Sequence, residues 1–168
     1  MIKVCAIDFE AEEIKERPHY PPKPVGVAIT YPDGKSVYMA WGHTIQNNCT
    51  KAEAKRKLKE IYSQYQVLCH NGKFDLEIGE KFFSLPFVPK HGWHDSLLLA
   101  FLHNPREPNL KLKPLADRHL NMPSEEQDKL HQWVLDNVPG GKQAKTKWGK
   151  FISLTPSKLC GQYAKGDT

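Results

Sequence analysis

Four acidic residues stand in three short motifs: Asp8-Phe9-Glu10, Asn71-Gly72-Lys73-Phe74-Asp75 and Tyr163-Ala164-Lys165-Gly166-Asp167. Carboxylate oxygens are hard donors, and a site rich in them selects Mg²⁺ or Mn²⁺. Asp8 and Glu10 follow the apolar run Val4-Cys5-Ala6-Ile7, which reads as a buried strand. Residues two apart on a strand share a face, so the two carboxylates project together. Held that close, they repel each other unless protons or cations neutralise them. The order and spacing of the set suit a site for two divalent cations.

Each motif needs an element to hold it. Ile2 to Phe9 is expected to be the first strand and Val25 to Tyr31 the second. Pro32-Asp33-Gly34-Lys35 makes the turn of a hairpin whose other arm runs from Ser36 to Trp41. Between Glu10 and Pro24 the chain is polar and rich in proline, which marks a surface loop. Thr50-Lys51-Ala52-Glu53 matches a capping box, and Leu58, Ile61, Tyr62 and Tyr65 recur at helical spacing behind it. Val67 to His70 reads as a strand parallel to the first across that helix, and Asp75 opens the next helix, Phe74 to about Phe83. A short strand near Trp93-His94-Asp95 follows, then helices over Ser96 to Leu102, Pro114 to Leu120 and Ser124 to Asn137. Thr155 and Pro156 look like an N-cap and first helical residue, leading into a helix that puts Tyr163 and Asp167, four apart, on one face. This order of strands and helices predicts an α/β, RNase H-like fold: a mixed sheet flanked by helices.

The three motifs together resemble those of the DnaQ-like, or DEDD, 3'-5' exonuclease superfamily, in the subclass whose third motif is Y-x-x-x-D. Asp8, Glu10, Asn71, Asp75, Tyr163 and Asp167 meet its six positions, with Phe74 as the aromatic of the second motif. Asp95-Ser96-Leu97-Leu98-Leu99 and Leu115-Ala116-Asp117-Arg118-His119-Leu120 are similar to intervening helices in the proofreading domain of phage-type family A DNA polymerases. The resemblance implies one exonuclease domain over residues 1–168, with a polymerase domain in the same or a longer chain. It implies release of nucleoside monophosphates from single-stranded DNA 3' ends. Asp8 would bridge two metal ions, Glu10 and Asp167 would complete the nucleophile-side site, and Asp75 would serve the leaving-group ion through its water ligands. Tyr163 would orient the attacking water. Asn71 and Phe74 would touch substrate. Family members often carry Thr or Ser where this chain has Ala11, which leaves the substrate a backbone N–H contact there. Asp167 falls in the last turn of a helix that continues in the resembling family, so a shortened form of a longer protein is expected.

Composition agrees with this reading without finding it. The 168 residues carry a formal charge of +5, a modest excess compatible with a polyanionic partner. No apolar run approaches the roughly 18 residues that span a bilayer, and no signal peptide precedes the first strand, so a cytoplasmic chain without a membrane partner is expected. None of the four cysteines forms a C-x-x-C pair, which argues against a structural zinc site. One composition shift stands out, Gly140 to Lys150, where four lysines flank Trp148. It could grip a phosphate backbone, but the plainer expectation is a solvated loop whose Trp packs back on the core.

Taken singly, each site residue has an ordinary role too. Asp8 could pair with a lysine, Asp75 could cap its helix, and Tyr163 could be a core aromatic. His70 and His94 lie beside apolar strands and are read as structural. Competing functions are an RNase D-like RNA exonuclease and a non-catalytic nucleic-acid-binding domain on the same fold.

Overall fold

The structure, a computed structural model, describes residues 3–122 and 125–168. Ile2 and Ser124, each expected to begin an element, lie outside them.

Five strands form one mixed sheet: β1 (Val4–Ala11), β2 (Pro24–Thr30), β3 (Ser36–Ala40), β4 (Gln66–Cys69) and β5 (Trp93–Asp95). Their order is β3-β2-β1-β4-β5, antiparallel on the hairpin side and parallel from β1 to β5. Gly34 turns the hairpin at φ +82°, a conformation that glycine adopts without steric cost. A helix α1 (Lys51–Gln64) crosses from β3 to β4 and begins with the expected capping box: Thr50 Oγ1 accepts from Glu53 N, and Glu53 accepts from Thr50 N. Then follow α2 (Lys73–Phe83), α3 (Ser96–His103), α4 (Leu112–Leu120), α5 (Glu125–Asn137), the single turn α6 (Gly141–Ala144), a 3₁₀ segment (Lys145–Leu154) and α7 (Ser157–Lys165).

The alternation of β1 divides the core in two. Cys5, Ile7 and Phe9 face α1 and α2, among Leu58, Ile61, Leu76 and Phe83, with the Phe9 and Phe83 rings stacked 5.6 Å apart. On the other face, Val25, Ala28, Tyr38 and Ala40 pack with α5, α7 and the 3₁₀ segment through Val134, Trp148, Ile152 and Cys160. α7 lies so close to the hairpin that a Cβ at Gly161 would stand 2.8 Å from Tyr38 Cδ1.

Two expectations fail locally. The stretch from Gly140 to Lys150 is not a loop: Gly141 to Leu154 form α6 and a 3₁₀ segment kinked at Lys147. Trp148, Phe151 and Ile152 recur at i, i+3 and i+4 and anchor it to the second core. The inward-packing Trp was expected; the ordered backbone was not. Thr155 does not cap α7 either. Its N–H and hydroxyl both donate to Ile152 O, at 3.1 and 2.7 Å, so it closes the 3₁₀ segment, and Pro156 takes the N-cap place.

Candidate metal centre

Because Ile7 and Phe9 point into the α1–α2 core, Asp8 and Glu10 emerge on the opposite face of β1, under α7. They pair with Ala28 and Gly26 of β2, and the ladder shifts register immediately after Glu10. Asp167 arrives from the far end of the chain. The α-helix closes at Lys165, and Gly166 and Asp167 continue it by i→i−3 bonds to Tyr163 O and Ala164 O. This tightened turn differs from the regular helix that the spacing predicts, yet it still brings Asp167 back over the sheet. One carboxylate oxygen each from Asp8, Glu10 and Asp167 lie within 4.8 Å of one another.

Asp75 stands outside that trio. It is buried in the first turn of α2, where Oδ1 accepts the Phe9 N–H at 2.9 Å. It thereby ties α2 to β1 at the residue between Asp8 and Glu10. Gly72, not Asp75, holds the N-cap position of α2.

Burial sets the electrostatics. It pushes the Asp8 carboxyl well above its ordinary range, helped by the charges of Glu10, Asp75 and Asp167. Glu10 is raised to about 8 by burial and then by Asp167 and Asp75. Asp75 rises to about 7, again through burial, although the Phe9 N–H pulls it back. Asp167 is raised by burial and drawn down by Lys113. Left to itself, this corner holds protons at neutral pH; a divalent cation would replace them with a better partner. All-oxygen donors, mutual proximity and this charge deficit fit a Mg²⁺ or Mn²⁺ site.

The trio lies in a cleft of about 510 Å³ with Ala11, Ile14, Phe74, Lys147, Lys150 and Tyr163 among its walls. An adjoining cavity shares Asp8, Ile14 and Phe74 and adds His70, Asn71, Lys73 and Asp75. The structure thus brings Asp8, Glu10, Phe74, Tyr163 and Asp167 to one cleft, with Asn71 and Asp75 in the cavity beside it. Burial and the neighbouring carboxylates raise the Tyr163 hydroxyl, so it stays protonated. Trp148 supports its ring edge-on, with centroids 6.1 Å apart, and itself stacks on His131 at 5.2 Å. His70, in the wall of the adjoining cavity, has its Nδ1 2.9 Å from Ser96 Oγ.

Sequence reasoning missed Lys113 and Asp95 and set Lys147 and Lys150 aside as part of a solvated loop. Lys113 of α4 forms an ion pair with Asp167 and lies 5.1 Å from the centre of the Tyr163 ring. Lys147 and Lys150 line the cleft, whereas Lys142 is exposed and not among its walls. Asp95 accepts three backbone N–H groups, from Asn71 and Leu97 at Oδ1 and from Gly72 at Oδ2. It caps α3 and holds Asn71 in its left-handed conformation at φ +58°. An aspartate directly before a helix was the available signal for that cap.

No family model matches the chain, and no curated protein does. Solved structures do. Brucella melitensis NrnC with bound Mg²⁺ is 17% identical with a TM-score of 0.60, over 99% of this chain and 67% of that one. The same protein bound to pGG gives the same values. The apo form of a nuclease is 16% identical with a TM-score of 0.60, over 98% of this chain and 66% of that one. The likeness establishes the fold as α/β and RNase H-like, and the chain spans about two thirds of the length of these structures.

Proposed function

We propose that the chain is a metal-dependent 3'-5' exonuclease that removes nucleoside monophosphates from single-stranded DNA ends. One observation carries this reading. Carboxylates from opposite ends of the sequence converge within 4.8 Å at the base of a cleft whose rim carries lysines. A nucleic-acid strand brings negative charge, and the same cleft offers ammonium groups at its edge and a cation site at its floor.

Two divalent ions, held by Asp8, Glu10, Asp167 and the more distant Asp75, would supply an activated water and neutralise the phosphate. The protein's own groups do the rest. Asp8 would serve both ions, Glu10 and Asp167 would help hold the ion that activates the water, and Asp75, fixed by the Phe9 N–H, would serve the ion that eases departure of the leaving group. Tyr163, kept neutral, donates its O–H to orient the water and does not act as a base. Phe74, with Ile14 beside it, offers an apolar wall to the terminal base, while Asn71 and the Ala11 backbone border the sugar and phosphate. The polymerase-like character of α3 and α4 favours DNA and a proofreading role beside a polymerase domain.

The test is degradation of single-stranded DNA and RNA oligonucleotides, with free or blocked 3' ends, in Mg²⁺, in Mn²⁺ and in chelator. Stepwise shortening of free 3' ends only when metal is present is expected. Faster loss of RNA would move the substrate class while leaving the chemistry standing. No metal-dependent cleavage of either polymer would defeat the proposal.

A further inference from the structure

Lys113 sits where its own helix gives it no reason to be. It occupies the first turn of α4, two residues after the N-cap Lys111, and that turn contains no acidic residue. A cation there opposes the positive end of the helix dipole. Its side chain is nevertheless only 21% exposed, and an ammonium drawn partly out of water favours a partner. The partner is Asp167, 9% exposed, just beyond the C-terminal end of α7. A carboxylate at that end is disfavoured by the dipole of α7, so it too favours a cation. Two placements that are each unfavourable alone are resolved by one ion pair. The same ammonium lies over the Tyr163 ring, 5.1 Å from its centre, and so touches both functional residues of the third motif.

Asp167 is also one of the three residues whose oxygens cluster for a metal. Lys113 and a divalent ion therefore want the same carboxylate. We propose that Lys113 is a positioning residue, a tethered counter-ion that holds Asp167 and Tyr163 over the sheet and gives up Asp167 when a metal ion enters. This rests on the metal-dependent reading above and adds a prediction that reading does not make: the native lysine weakens metal binding. The exchange is one of ion pairs only. The ammonium leaves Asp167 still protonated, and the carboxylate oxygen passes to the metal. With several carboxylates and one ammonium in the corner, a divalent ion still wins, at a higher concentration than it would need otherwise.

Mn²⁺ binding followed by isothermal titration, on the full chain without substrate, tests this apart from catalysis. Lys113→Met should bind Mn²⁺ roughly fivefold or more tightly than the parent, in keeping with coupling between ligands that share a site. Its melting temperature in chelator should fall, and saturating Mn²⁺ should close the gap. Lys113→Arg keeps the charge and grips carboxylates through two N–H groups, so its Mn²⁺ affinity should equal the parent's or lie below it. Equal or weaker Mn²⁺ binding by folded Lys113→Met overturns the inference. If that variant does not fold, tighter binding by Lys113→Arg overturns it instead. The parent binding no Mn²⁺ would defeat the metal-dependent reading itself, whereas parent binding with unaltered affinity in the variants defeats only the role of Lys113.

Discussion

At the scale of single residues, the site divides into groups that hold charge and groups that hold position. Asp8 belongs to the first kind. Its carboxyl is half-buried beside Glu10, Asp75 and Asp167, and each of them raises it. Asp8→Ala should abolish metal-dependent nuclease activity while leaving the fold intact or slightly more stable in chelator, because one repelling carboxylate is gone. Addition of Mg²⁺ should then raise the melting temperature of the parent more than that of the variant. Unchanged turnover in Asp8→Ala would sink the assignment. Tyr163 belongs to the second kind. Removing its hydroxyl in Tyr163→Phe should cost roughly ten- to ten-thousand-fold in rate, as loss of a positioned hydrogen-bonding group does. The ring against Trp148 remains, so Mn²⁺ affinity should hardly move; its loss by titration would show that the hydroxyl serves the metal. These residues stood out in the sequence through local motif spacing together with the family resemblance that those motifs carry. Lys113 did not, because only the fold brings α4 to the end of α7. Nothing in the sequence around Lys113 distinguishes it from the lysines that simply face water.

Elements that declare themselves through local chemistry were equally legible. The Thr50 capping box, the Gly34 turn and the alternation of β1 each follow from a few adjacent residues. The 3₁₀ segment was hidden because three lysines and a glycine break up its apolar pattern, and its three anchors all follow a kink at Lys147. Its order has a functional consequence. Lys147 and Lys150 lie on this 3₁₀ backbone and line the cleft. Replacing both with Ala should weaken binding of a single-stranded oligonucleotide and lower the salt slope by about 1.4, near 0.7 for each phosphate no longer neutralised. Lys142→Ala should leave binding and slope as they are. An unchanged slope in the double variant would return the segment to a purely structural role. Asp95 offers a second test at this scale. Asp95→Ala removes the acceptor for three N–H groups and the cap of α3, which should cost on the order of 1–3 kcal/mol by denaturant titration. Activity measured well below the melting temperature should fall as well, since Asn71 is no longer fixed; full activity there would confine Asp95 to stability.

For the whole molecule, the partly buried acid cluster makes stability and metal binding a single function of pH. In the unfolded chain its carboxyls titrate near 4. In the folded chain Glu10 is raised to about 8, Asp75 to about 7, and Asp8 and Asp167 also lie above their ordinary range. Between about pH 4 and pH 8 the folded protein therefore keeps protons that the unfolded chain has released. The slope of unfolding free energy with pH follows protons bound unfolded minus protons bound folded, which is negative here. The contribution of these groups is fully present below about pH 4 and is lost as pH rises through their folded values. In chelator, the melting temperature should decline from about pH 5.5 to pH 8.5. Saturating Mg²⁺ takes the place of the protons, and each ion bound at lower pH must first release them. The Mg²⁺-induced rise in melting temperature should consequently grow with pH, being smallest near pH 5.5 and largest near pH 8.5. Asp8→Ala should flatten both trends, because it removes the carboxyl on which the other three act. A melting temperature in chelator that climbs over this range, or a Mg²⁺ shift that shrinks, would mean that these carboxylates are already neutralised by the protein alone. The cluster would then be a structural salt-bridge network around Lys113 with no need of a metal ion.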